Sequence, residues 1–213
     1  MNKLILLGAA FMALSFTQRE TQPANITATP QTAAQAQNGK TFLMNYFQQT
    51  EDRLNAQLEG LTTAQLQFTP SADRWSVSQC VEHIILTEKM LFDMARKALA
   101  KPANPERKDE MKLTNQQLID MVTDRSHKAE ATAELIGKGA YTDPETAMAD
   151  FRAQRKAILA YLDGISADDL RNHIDDSPFG PIDGYHSILF IAGHTARHTL
   201  QIEEVKSNPA FPE

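Results

Sequence analysis

The sequence predicts an all-α protein, an up-down four-helix bundle with room for one extra short helix. Two observations carry that expectation. Five stretches repeat apolar residues at three- and four-residue steps, and most of them are opened or closed by a recognisable signal. No stretch shows the period-two alternation that a half-buried strand needs.

The chain begins "MNKLILLGAAFMALSFTQ", with Lys3 followed by an apolar run from Leu4 to Phe16. A positive residue before about a dozen apolar ones matches the early regions of a secretory signal and is short for a membrane span. The expectation is a cleaved signal peptide over 1–17 and export to a periplasmic or extracellular location. The alternative is an uncleaved N-terminal membrane anchor. Residues 18–39 are polar, carry Pro23 and Pro30, and lack the apolar surface that would offset the entropy of ordering, so they read as a flexible spacer. The folded domain is expected over 40–207, with a short tail at 208–213.

Within that domain the first helix is expected over 40–60, where Leu43, Phe47, Thr50, Leu54, Leu58 and Leu61 recur at three- and four-residue steps and Gly60 marks the end. The second begins at Ser76. There "SVSQ" offers a capping box with Gln79, Trp75 can staple the chain, and Val77, Cys80, Val81, Ile84, Leu91, Ala95 and Ala98 form one stripe. Residues 101–112 hold Pro102 and Pro105 among charges and read as a solvated loop. Thr114 with Gln117 repeats the capping signal for a third helix running to about Ile136. Asp143-Pro144 starts a fourth, to about Leu162, with Met148, Phe151, Ile158 and Leu159 on its apolar face. "DSPFGPIDG" (176–184) is a turn-rich lead-in, and Asp183 caps the last helix, 184–207.

A domain of roughly 150–170 residues can bury a full core without cross-links. The single cysteine, Cys80, excludes an intramolecular disulfide framework. With a formal charge of −6 and no cluster of Lys or Arg on one face, nucleic acid and an anionic membrane surface are excluded as partners of the mature form. What remains is a small-molecule substrate and, among macromolecules, a second copy in a homodimer.

The chemistry lies in "GHTARHTLQIEEVK" (193–206). At about 100° per residue, His198 falls about 20° from Ile191 and His194 about 60°, both inside the stripe that packs. Two imidazoles at i and i+4 can grip one metal ion, but a site needs a third ligand from elsewhere. His83 is the candidate, on the margin of the second helix's stripe, facing the groove where a bundle builds its ligand sites. His127 and His173 lie among charges and read as surface residues. His186 is rotated about 80° from His194. Cys80 could complete a tetrahedral set, but its place in the apolar stripe suits a small hydrophobe better. Gln201, one turn past His198, could reach a solvent molecule held at the site. Glu88, about 40° from Ile84, is the candidate catalytic proton acceptor. The competing reading of Glu88 is a salt-bridged helix residue.

"DRWSVSQCVEHIILTE" (73–88) together with "FGPIDGYHSILFIAGHTARHTLQI" (179–202) resembles the DinB-like metal-binding superfamily of four-helix bundles. The shared pattern is Trp75-Ser76 with His83 eight residues after the Trp, then Phe179-Gly180-Pro181 leading into a helix with His194, Arg197, His198 and Gln201. Tyr185 departs from it, standing where many relatives carry tryptophan. The resemblance spans roughly residues 40–207 and implies that His83, His194 and His198 are the metal ligands. Relatives include thiol-dependent transferases and isomerases.

Three neutral imidazoles with an open fourth position describe a catalytic type of divalent site. Zinc suits it best, and nickel, iron and copper accept the same ligands. The expected activity is that of a metal-dependent hydrolase or thiol S-transferase acting on a small electrophile. Export weighs against the thiol, since such thiols are mainly cytosolic. The alternatives are a non-enzymatic metal-binding or interaction module, or a plain bundle whose histidines only pack.

Overall fold

A computed structural model describes residues 39–127 and 130–213. The expected signal peptide and all but the last residue of the spacer lie outside the described residues. The helices are α1 (Lys40–Leu58), α2 (Thr63–Gln67), α3 (Val77–Leu99), α4 (Asn115–Thr123), α5 (Pro144–Asp163), α6 (Ala167–Arg171) and α7 (Gly184–Lys206). Short 3-10 turns fall at Pro105–Glu110 and Ala133–Leu135, the first inside the segment expected to be plain loop.

α7 is the central element and packs against α1, α3 and α4, while α5 closes the bundle against α3 and α1. α3 and α7 run antiparallel, with His83 against His194 at one end and Leu99 against Gly184 at the other. The capping boxes at Ser76–Gln79 and Thr114–Gln117 are both present, and Asp183 caps α7 by accepting from the His186 amide at 2.7 Å. The structure adds a further capping box, Thr62–Gln65, at the start of α2.

Two expectations are corrected. The third helix does not reach Ile136. It stops at Thr123, because Arg197 donates to the carbonyl oxygens of Val122, Asp124 and His127, and the Asp124 carboxylate accepts from the amide and hydroxyl of Ser126. The chain then crosses the start of α3. There the Glu82 carboxylate accepts from the amides of Lys138, Gly139 and Ala140 at 2.7–3.1 Å, and Gln79 donates to the Gly137 carbonyl. Gly137 has no room for a side chain, since a Cβ there would lie 2.2 Å from the Gln79 oxygen. These tertiary bonds outweigh the local helix propensity of the segment.

The second correction is a two-stranded antiparallel hairpin, β1 (Ile174–Ser177) and β2 (Gly180–Asp183), where only a turn-rich lead-in was expected. Gly180 adopts φ +98°, and the Ser177 hydroxyl accepts from the Phe179 amide and donates to the Gly180 carbonyl. Each strand is four residues long, too short to show a pattern in sequence.

The core has two apolar halves. One gathers Phe47, Phe92, Ile158, Tyr185 and Ile191, the other Leu54, Cys80, Ile84, Phe151 and Ile202. Between them lies a buried polar layer. Arg155, 1% exposed, donates to both oxygens of Glu88, to the Phe47 carbonyl at 2.7 Å, and to the hydroxyls of Thr50 and Thr195 at 3.0 Å. Thr195 in turn donates to Glu88 at 2.6 Å, and the rings of Phe47 and Phe151 flank the guanidinium. A buried ion pair is tolerated when its remaining donors and acceptors are satisfied, as they are here. Arg155→Leu leaves the Glu88 carboxylate buried without its counter-ion and should cost about 3–5 kcal/mol in urea denaturation. Replacing both residues by leucine should recover much of that loss. A single-variant cost below about 1 kcal/mol would show that the layer contributes little.

Candidate metal centre

The Ser76 capping box fixes where α3 begins, and so places His83 two turns in, on the side facing α7. His194 and His198, one turn apart on α7, face it. One ring nitrogen from each of the three lies within 4.8 Å of the others. The Nε2 atoms of His83 and His194 are 3.3 Å apart, and the ring centroids are 4.4–5.0 Å apart. A tetrahedral ion with bonds of about 2.0–2.1 Å to nitrogen requires neighbouring nitrogens about 3.3 Å apart. The pair already has that spacing.

The outward nitrogens decide the tautomers of His83 and His198. His83 Nδ1 lies 2.7 Å from the Leu135 carbonyl oxygen, which can only accept, so the proton sits on Nδ1 and the Nε2 lone pair points inward. His198 Nδ1 donates to Gln201 Oε1 at 2.8 Å. That amide is oriented oxygen-first because Arg125 approaches the same Oε1 at 3.5 Å, and Arg125 is itself held on the Glu204 carboxylate by two hydrogen bonds. His194 Nδ1 is buried and has no hydrogen-bond partner among the described residues. Trp75 covers the cluster, its ring centroid 4.8 Å from that of His83 and 6.0 Å from that of His198.

Burial keeps all three imidazoles neutral. Desolvation lowers His83, with the Leu135 hydrogen bond opposing it. It lowers His194 well below the usual value, with the neighbouring His198 and His83 adding to the effect. His198 is pushed down to about 3, by desolvation first and His83 second. Neutral imidazole is the form that binds metal, so the donor set is ready at neutral pH. Two nitrogens at tetrahedral spacing, with the lone pairs of His83 and His198 directed inward and those two rings fixed from behind, fit a divalent ion.

The other candidates fall elsewhere. Glu88 is not at the triad's disposal as a proton acceptor, since its carboxylate is committed to Arg155 and Thr195 in the polar layer. Burial pushes the Cys80 thiol up to about 12, so it packs as a hydrophobe, outside the cluster. Gln201 spends its oxygen on His198 rather than on solvent at the site. His186 lies against Asn115 and Asp183, His173 bonds the Asp169 carbonyl, and His127 is exposed. Sequence reasoning missed the Leu135 carbonyl, a backbone group no residue type announces. It also missed Trp75 as a cover and Arg197 as the clamp on the 122–127 segment.

Fold and site together define a helical-bundle protein with a three-histidine cluster of metal-binding type between two antiparallel helices. The chain belongs to the DinB superfamily, whose family model matches residues 46–202. It is 21% identical over 154 residues to the uncharacterized protein YuaE of Bacillus subtilis, covering 70% of this chain and 88% of that one. Its fold is similar to that of YfiT from Bacillus subtilis, described as a probable metal-dependent hydrolase with an unusual four-helix bundle topology. The TM-score is 0.55, over 81% of this chain and 89% of YfiT, at 14% identity.

Two measurements check this account. Gln201→Leu should lower zinc affinity about 10–100-fold in competition with a fluorescent chelator, and Gln201→Glu, which keeps an acceptor, should not. Equal affinities for all three proteins would remove the role of Gln201. In metal-free protein the lowered pKa values mean that the unfolded chain takes up protons first as pH falls below about 6.5. Stability is therefore full above about pH 6.5 and declines as pH falls toward the native values, about 3 for His198. Urea midpoints in the presence of EDTA should drop between about pH 7 and about pH 5.5, and a rise would contradict the burial of three neutral imidazoles.

Proposed function

We propose that the protein is an exported metal-dependent hydrolase acting on a small molecule, with His83, His194 and His198 holding one divalent ion, zinc by preference. The observation that carries this reading is the meeting of three neutral imidazoles from two helices, two of them fixed from behind by Leu135 and Gln201. Three protein ligands leave a fourth position for substrate, whereas a purely structural site is closed by four. The fold it shares with YfiT, called a probable metal-dependent hydrolase, supports the reaction class. Export through residues 1–17 favours water over a cytosolic thiol as the co-reactant.

A divalent ion at this position supplies Lewis acidity toward a substrate carbonyl or phosphoryl oxygen and toward water. The chain's own residues do the rest. His83 and His198 present lone pairs in fixed directions, and Trp75 shields them from bulk solvent. His194 has the most exposed residue surface of the three, and Phe190 stacks on its ring. The nearby carboxylates Glu82 and Glu88 are both committed to structural bonds, so neither is assigned a proton-transfer role.

Protein prepared without a polyhistidine tag should contain about one zinc per chain and melt at higher temperature than after EDTA treatment, because an ion bound only to the native state adds stability. His83→Ala, His194→Ala and His198→Ala should each lose the metal, and His127→Ala should retain it. Hydrolysis of p-nitrophenyl esters should disappear with EDTA and return with zinc. Full metal content in all three variants would end the metal assignment. Metal binding with no hydrolysis across ester, amide and phosphoester probes would end the hydrolase assignment.

A further inference from the structure

Among the described residues four large apolar side chains are exposed: Met90 at 37%, Met94 at 58%, Ile136 at 40% and Phe179 at 46%. One of them is tied to the triad by ring contacts. Phe179 stacks on Phe190 with ring centroids 5.6 Å apart, and Phe190 stacks on the ring of His194 at 6.5 Å. Ile136 follows Leu135, whose carbonyl holds His83. Met90 and Met94 stand seven and eleven residues after His83, on the same face of α3. Because α3 and α7 run antiparallel, the methionines and Phe190 run from the triad along the same side of the bundle.

An aromatic row thus leads from half-buried His194 through Phe190 to exposed Phe179 at the surface. Isolated exposed hydrophobes need no explanation, but an exposed ring stacked in series onto a candidate metal ligand does. Phe179 is displayed there by design of the turn, since Ser177 and the positive φ of Gly180 hold the hairpin tip in shape. The guanidinium groups beside the triad are already engaged, Arg125 by Glu204 and Arg197 by loop carbonyls. They do not serve as a receptor for an anionic substrate.

We infer that the site takes a neutral substrate with an aromatic or alkyl group next to its reacting centre, and that Phe179 and Phe190 seat that group. The inference rests on the metal-site reading above and narrows its substrate class. Acetohydroxamate and benzohydroxamate bind a metal through the same two oxygens and differ in the aromatic group, so the pair isolates the apolar contact. Zinc content and affinity are measured first on the full chain. Titration calorimetry of the zinc-loaded protein should then show benzohydroxamate binding about tenfold tighter, consistent with aromatic stacking on a ring already in place. Phe179→Ala should cut that preference to within about twofold while leaving zinc affinity and thermal melting unchanged. Zinc binding with equal affinity for the two hydroxamates, or a preference that survives Phe179→Ala and Phe190→Ala, would overturn this inference alone. Failure to bind zinc would overturn it together with the metal assignment.

Discussion

The position of α3 along α7 is the constraint on which the three-histidine cluster depends, and the buried ion pair of Glu88 with Arg155 sets it. Glu88 lies five residues after His83, and Thr195, which donates to it, lies between His194 and His198. A slide of α3 by one residue would break the Glu88–Thr195 bond and separate His83 from its partners by about 1.5 Å. Apolar side chains resist such a slide weakly, because they pack in more than one register. A charged pair with all its partners satisfied has one low-energy arrangement, and that specificity is the best-attested use of buried polar groups. Arg155 ties in α5, and through the Phe47 carbonyl and Thr50 it ties in α1 as well. One guanidinium therefore sets the register of the four long helices.

A second layer of control comes from outside the bundle. The segment after α4 is held by Arg197 at one end and by Glu82, Gln79 and Ser78 at the other, and it delivers the Leu135 carbonyl to His83. Gln201, steadied by Arg125 and Glu204, does the same for His198. The rings are thus oriented by groups that never face the site. His194 lacks such a group among the described residues, and it is also the least buried of the three.

The fold and the three histidines were legible because they rest on local periodicity. Imidazoles at i and i+4 on a packing face, and a third on the margin of the second helix's stripe, are visible in one dimension, and the resemblance to the DinB-like superfamily singles out these three. The capping boxes at Ser76 and Thr114 were visible for the same reason. What stayed hidden was decided by contacts distant in sequence. The periodicity after Thr123 reads as helix, and the bonds of Arg197, Glu82 and Gln79 to that segment, which sequence does not display, help explain why α4 ends there. Arg155 and Glu88 did leave a signal, since each interrupts an apolar stripe with opposite charge. Pairing them across 67 positions requires the helix packing itself.

The placement of Trp75 has an optical consequence. It is the only tryptophan in the chain, and its indole lies over two of the three imidazoles. The tryptophan emission of the protein therefore comes from a ring packed on the three-histidine cluster. Loading with a closed-shell ion such as zinc alters the polarity beside the indole, whereas an open-shell ion such as copper opens a non-radiative route for the excited state. The fold has built a spectroscopic probe into its own site, one that distinguishes among metals without a label.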